Sequence, residues 1–216
     1  MTEQPLGTDL PLEFVYRPPT TGESDRLVAV LHGRGADETD LLPIAAELPP
    51  AHVVSLRAPD RLMGGYTWYD LDMPDGDLHR SQPEPAGFRR SLDLVTEAID
   101  RMREELGVDT VGLLGFSQGA IMSTALLVES PAAYDWIVGL HGYLAASHAE
   151  RDERLDGSQV FLGAGRADEI IPESRVAAAA DRLRELGATV TYETYAAGHG
   201  VARDELADVV SFVESR

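Results

Sequence analysis

The 216-residue chain contains no cysteine, no lysine and no asparagine. Without cysteine it can have no disulfide, no thiolate metal ligand and no cysteine nucleophile. Without lysine, all 18 basic residues are arginine; they stand against 37 acidic residues and leave a formal net charge of −19. A basic stripe able to neutralise phosphates is hard to build at that balance, which argues against nucleic acid as a partner. A GC-rich genome would explain the missing lysine and asparagine codons but not the acidic excess. A salt-rich, halophilic cytoplasm fits the excess better, because a negative surface keeps a protein dissolved while ions screen its self-repulsion. No apolar run is long enough to span a bilayer. The start, "MTEQPLGTDLPLEF", lacks the basic end and apolar centre of a secretory leader. These absences predict a soluble, cytoplasmic protein with no stable membrane insertion.

The hydrophobic content is 44% and the charged content 25%, as expected of a globular chain. No repeat and no linker interrupts it, so one domain over residues 1–216 is expected, and a homodimer is left open. Apolar runs over 27–32, 52–57, 110–116, 136–142, 159–165 and 189–195 read as strands, several of them apolar enough to be buried on both faces. Residues 12–18 read as an added edge strand. Helical spacing follows in 39–48, 86–107, 119–130, 173–187 and 202–215. In the second of these, Phe88, Leu92, Val95, Ile99, Met102 and Leu106 form one stripe, and Gly107 and Gly187 sit where helix C-caps belong. Such alternation predicts the α/β class: a mostly parallel central sheet with helices on both faces. Residues 58–85 form the longest irregular stretch. They follow a strand and so lie at the carboxyl edge of the sheet, where such folds bind ligands.

"GLLGFSQGA", residues 112–120, places G-x-S-x-G between a predicted strand and a predicted helix. A serine there stands on a tight turn, with its Oγ exposed and the helix N-terminus directed at developing negative charge. Ser117 is therefore the candidate nucleophile. Its hydroxyl needs a base, and chain order in this class runs serine, acid, histidine, which leaves His141, His148 and His199. His199, in "AAGHG" after the last strand, is at the right sheet edge. His141 reads as a half-buried neighbour of the site and His148 as a solvated surface residue. Asp168, on the loop after the strand 159–165, is the candidate acid, with Glu169 as the alternative. The oxyanion hole requires two backbone N–H groups. Gln118 offers one, and Arg34 in the loop "LHGRGAD" offers the other, with His32 bracing that loop. Because Gln118 is used through its amide, replacing its side chain is expected to be mild.

"LHGRGAD", "GFSQGA", "GRADEIIP" and "GHGVARDEL", in that order from about residue 25 to the C-terminus, resemble the phospholipase/carboxylesterase family of α/β-hydrolases, which includes the acyl-protein thioesterases. "YTWYD" (66–70) resembles that family's aromatic–Asp motif beside the acyl pocket. The resemblance implies an α/β-hydrolase fold and a serine carboxylesterase that works through an acyl-enzyme. It places the triad on Ser117, Asp168 and His199 and the oxyanion amides on Arg34 and Gln118. His141 and Arg34 depart from the residues common in the family. A thioesterase acting on acylated protein cysteines and a lysophospholipase are the alternatives within the class. Outside it stands a catalytically silent ligand-binding relative, which would have no physical need for all three triad residues.

The connection after 136–142 is too short for a cap domain. An open site is therefore expected, lined by Met63, Tyr66, Trp68, Tyr69 and His141 and suited to short- and medium-chain acyl esters of small molecules. "DLDMPDGDLH" is rich in aspartate but fails the EF-hand pattern at Pro74, and no G-x-G-x-x-G follows the first strand. Neither a metal nor another cofactor is expected.

Overall fold

The computed structural model describes residues 9–216; the start of the chain, read above for a leader, lies largely outside them. Seven strands form the main sheet: β1 (Phe14–Arg17), β2 (Arg26–Leu31), β3 (His52–Leu56), β4 (Thr110–Phe116), β5 (Trp136–Leu140), β6 (Gln159–Gly165) and β7 (Thr189–Tyr195). Their spatial order is β1-β3-β2-β4-β5-β6-β7. Only β1 pairs antiparallel, against β3; every other neighbour is parallel. All six apolar runs and the edge strand thus form as their patterns predict. The central strands are apolar throughout because both faces are covered: β2 from Leu27 to Leu31 and all of β5 are buried.

On one face lie α2 (Pro85–Leu106), α3 (Gln118–Glu129) and α5 (Glu173–Glu185); on the other lie α1 (Leu42–Ala45) and α6 (Arg203–Glu214). α2 starts at Glu84, whose carboxylate accepts the N–H groups of Ala86 and Gly87, and ends at Gly107 with φ 61°. Its predicted stripe is buried from Phe88 to Met102, with Leu106 half-buried, and each large buried apolar side chain there contributes roughly 1.5–3 kcal/mol. α3 is buried from Gln118 to Val128, so the serine turn sits on the most enclosed helix of the fold.

Two expectations need correction. The helix over 39–48 shrinks to Leu42–Ala45, because Pro49 and Pro50 supply no N–H to continue it. The stretch 58–85 is not irregular: Asp60–Leu62 pairs with Gly65–Thr67, and Leu71–Asp72 with Gln82–Pro83. Between β5 and β6 the only helix is the four-residue α4 (Ala146–Ala149), so no cap domain stands over the sheet edge.

Candidate active site

Ser117 occupies the single residue between β4 and α3 with φ 53° and ψ −116°, a region that non-glycine residues rarely adopt. The flanking glycines make this turn possible. A Cβ on Gly115 would lie 2.3 Å from the carbonyl oxygen of Gly119, and a Cβ on Gly119 would lie 1.9 Å from that of Leu31. Both are well inside van der Waals contact, so the motif's two glycines are demanded by neighbouring backbone. The Ser117 N–H donates to the Leu140 carbonyl at 2.9 Å, which fastens the turn to β5.

The loops after β6 and β7 are zipped together: Arg166 N–H donates to Tyr195 O at 2.9 Å and Ala167 N–H to Ala197 O at 3.0 Å. This places Asp168 and His199 side by side. His199 Nε2 lies 3.0 Å from Ser117 Oγ, and His199 Nδ1 lies 2.8 Å from Asp168 Oδ2. Asp168 Oδ1 accepts the N–H groups of Ile170 and Ile171, both at 2.9 Å. Burial alone would raise the Asp168 pKa, but hydrogen bonds from His199, Ile171, His141 and Ile170 outweigh it and hold the carboxyl below its ordinary value. The carboxylate is thus ionised and can only accept. His199 therefore carries its proton on Nδ1 and presents a bare Nε2 to the serine. The alternative acid, Glu169, is exposed and offers only its backbone carbonyl, to His79 Nε2.

The remaining histidines are sorted by their partners. His32 is fully buried; its Nε2 accepts the Ala58 N–H at 3.1 Å and its Nδ1 donates to Gly33 O at 2.7 Å. Burial lowers its pKa, so it is a neutral brace for the loop that carries Arg34. His148 is not the solvated residue expected from its charged surroundings. It is buried edge-on against Phe88, with Nε2 3.0 Å from Glu129. His141 is fully buried rather than half-buried, against Asp168 and His199. Its Nδ1 lies 2.9 Å from Asp168 Oδ2 and its Nε2 3.2 Å from Glu205 Oε2. Glu205 escaped the sequence reading altogether. The available signal was its place on the stripe Glu205, Val209, Phe212 and Val213, where α6 faces the core.

Arg34 and Gln118 line one cavity with Ser117 and His199. Among the described residues neither backbone amide donates to a protein acceptor, so both are free for an oxyanion. The Gln118 side chain is also in use. Its Oε1 accepts from Thr67 Oγ1 at 3.0 Å and Trp68 N–H at 3.2 Å, and its Nε2 donates to Tyr69 O at 2.9 Å. Trp68 Nε1 in turn donates to His32 O at 2.8 Å, so residues 67–69 tie the loop that carries Arg34 to the serine turn.

The cavity holds about 300 Å³, and its apolar wall is Leu71, Leu78, Ile121, Tyr143, Ile170 and Ile171. None of the five residues expected to line it does so. Met63 is 99% exposed, Trp68 and Tyr69 are fully buried in the core, and Tyr66 faces a separate cavity beside Arg57 and Arg61. His141 lies below the floor. The aromatic residues of "YTWYD" build the hairpin and core that support the site, while Leu71 and Leu78 of the loop 71–81 form its wall with Ile121, Tyr143, Ile170 and Ile171.

His141 Nδ1, Asp168 Oδ2 and His199 Nδ1 lie close enough together to suggest a metal site. Both ring nitrogens already point their N–H groups at one carboxylate oxygen at hydrogen-bond distance. Those hydrogen bonds account for the cluster without an ion.

A parallel sheet with a serine on a strand–helix turn, and an acid and a histidine on later strand-end loops, defines the class as α/β-hydrolase. The family model described as Phospholipase/Carboxylesterase matches residues 18–216, and the chain belongs to that family. Acyl-protein thioesterase 1 of Neurospora crassa is 28% identical over 189 residues, covering 82% of this chain and 73% of that protein. Acyl-protein thioesterase 1 of Gibberella zeae is 26% identical over 188 residues, covering 82% and 76%. The crystal structure of a carboxylesterase from Mesorhizobium loti superposes with a TM-score of 0.85 at 24% identity, over 98% of this chain and 99% of that one. At that identity the likeness concerns the fold.

Proposed function

We propose that the protein is a serine carboxylesterase acting on short- to medium-chain acyl esters through an acyl-enzyme. The observation that carries this reading is the unbroken line from Ser117 Oγ to His199 Nε2 and from His199 Nδ1 to Asp168 Oδ2. His199 takes the hydroxyl proton as Ser117 Oγ bonds to the acyl carbon. The carbonyl oxygen becomes an oxyanion facing the Arg34 and Gln118 amides. Collapse of this intermediate breaks the bond to the alcohol oxygen, which leaves with the proton from His199. Water then repeats the sequence on the acyl-enzyme and releases the carboxylic acid. Asp168 holds the imidazole tautomer and stabilises the imidazolium formed on the way. A cavity of about 300 Å³ is at the small end for ligand sites, which supports short and medium acyl groups.

A thioesterase reading is favoured by the two fungal relatives, each named Acyl-protein thioesterase 1. The same atoms would serve, with a thiol leaving in place of an alcohol. Matched ester and thioester substrates from acetyl to palmitoyl, at low and high salt, decide between the two. Fluorophosphonate labelling tests the shared chemistry. A covalent mass gain on Ser117, with loss of at least about 10⁴-fold in kcat for Ser117→Ala, is the expected result. An unlabelled Ser117, or undiminished turnover by the variant, ends the proposal.

A further inference from the structure

His141 and Glu205 are buried ionisable side chains that the reaction above does not use. His141, just past β5, is held at φ 53°, so the chain adopts an unfavourable backbone conformation to put an imidazole there. It touches the same oxygen, Asp168 Oδ2, that His199 approaches. Glu205, from the first turn of α6, accepts the Ala202 N–H on Oε2 at 3.1 Å. Its Oε1 has no hydrogen-bond partner among the described residues and is pressed on Gly163, where a Cβ would lie 2.1 Å away.

The charged and titratable groups that face His141 come from three elements: Asp168 after β6, His199 after β7 and Glu205 on α6. The Phe116 ring covers it from β4. The Tyr195 hydroxyl on β7 is occupied elsewhere, by Asp208 at 2.8 Å. Protons can then be counted. Asp168 Oδ2 only accepts, so both Nδ1 atoms carry hydrogen. His141 Nε2 and Glu205 Oε2 cannot face each other at 3.2 Å as two bare lone pairs, so one proton lies between them. Burial alone would lower the His141 pKa, but the hydrogen bonds and charges of Glu205 and Asp168 outweigh it and leave it raised. Glu205 Oε2 also accepts the Ala202 N–H, the role of a carboxylate oxygen rather than of a carboxylic O–H, so the proton sits on nitrogen and an imidazolium stands between two carboxylates.

We propose that His141 and Glu205 are positioning residues that lengthen the line Ser117–His199–Asp168 by two side chains, Glu205 fixing the His141 ring and His141 Nδ1 sharing Asp168 Oδ2 with His199. The two rings lie 5.7 Å apart and edge to face. A positive charge at that distance, partly offset by Glu205, draws on the same carboxylate that orients His199. His141 thus sets how much of the Asp168 carboxylate is left to orient the His199 ring towards Ser117 Oγ.

The kinetic consequence rests on the serine-hydrolase reading; the charge on His141 does not. His141→Asn keeps an N–H near the Nδ1 position, tolerates positive φ and removes the charge. Glu205→Gln keeps the shape and leaves His141 neutral. In both variants the acid limb of the kcat/KM profile is expected to move up, further in His141→Asn, which leaves the Glu205 charge in place, than in Glu205→Gln, which removes both charges; activity falls about threefold or more at the acid end and stays near wild type at alkaline pH. A merely structural role would lower the rate equally at every pH. An acid limb left within about 0.2 unit of wild type in both variants overturns the proposal. The charge is read separately in wild-type protein carrying ¹⁵N-histidine. Two protonated ring nitrogens on His141 at about pH 7 support the proposal, and a neutral ring overturns it whatever the rates show. If the wild type hydrolysed neither ester nor thioester, the function proposed above would fail, and the histidine spectrum would still decide this one.

Discussion

Gln118 Nε2 donates to the carbonyl oxygen of Tyr69 at 2.9 Å, so the residue after the serine is tied by its side chain to the segment beneath the site. The same amide accepts from Trp68 N–H and Thr67 Oγ1. Gln118→Ala leaves buried polar groups unpaired, each worth about 1–3 kcal/mol. A fall in Tm of roughly 4–8 °C is expected by calorimetry, on the basis of about 2 kcal/mol in a chain of this size. The mild effect expected from the amide's role concerns turnover per folded molecule, which should change little; an unchanged Tm would show that the side-chain hydrogen bonds do not hold the segment.

Chain-length preference should follow the aliphatic wall and ignore the exposed tip. Leu78→Trp fills part of the cavity, so kcat/KM for a hexanoate ester should drop about tenfold or more while acetate is little affected. Met63→Ala, which alters a side chain in full contact with water, should leave both rates alone. Equal losses on the two esters in the Leu78 variant would mean that the acyl group binds elsewhere.

The His32 brace should respond to acid. Its pKa is lowered by burial, so its contribution to stability is full above the ordinary value of about 6.5 and is lost as pH falls through the folded value. Protonation would also remove the lone pair that accepts the Ala58 N–H. The gap in urea midpoint between wild type and His32→Gln should therefore be widest near neutrality and narrow towards about pH 5. A gap that is constant with pH would show that the ring's protonation is not linked to folding.

A net charge of −19 should make the protein more stable in salt. Tm is expected to rise from low to molar KCl as self-repulsion is screened. Exposed ion pairs such as Arg154–Asp156 and Arg184–Asp181 would weaken under the same conditions, but pairs in full contact with water contribute little to stability. A flat or falling Tm would remove the case for a halophilic surface.

The strands were legible because a doubly covered parallel strand must be apolar at every position, which leaves a plain run in the sequence. The serine turn was legible because backbone crowding at Gly115 and Gly119 admits one residue type. The pocket was not. The aromatic cluster at 66–69 signals burial, and burial in the core and burial around a ligand leave the same trace in a sequence. Glu205 was missed for the opposite reason. In a chain with 37 acidic residues, one carboxylate on a helix reads as solvated unless its place on the apolar stripe is weighed.

His79 Nε2 reaches across to the Glu169 carbonyl at 2.8 Å and thereby joins the two surface segments that wall the cavity, one inside the hairpin of 71–83 and one after β6. The first of these segments carries no part of the line from Ser117 to Asp168, whereas the second carries Asp168 itself and the Ile170 and Ile171 N–H groups that hold its Oδ1. Leu71 and Leu78 can therefore be exchanged without touching that line, while any change at 170–171 is felt at the carboxylate. The clasp makes the hairpin the adjustable jaw of the compartment and the loop after β6 its fixed one.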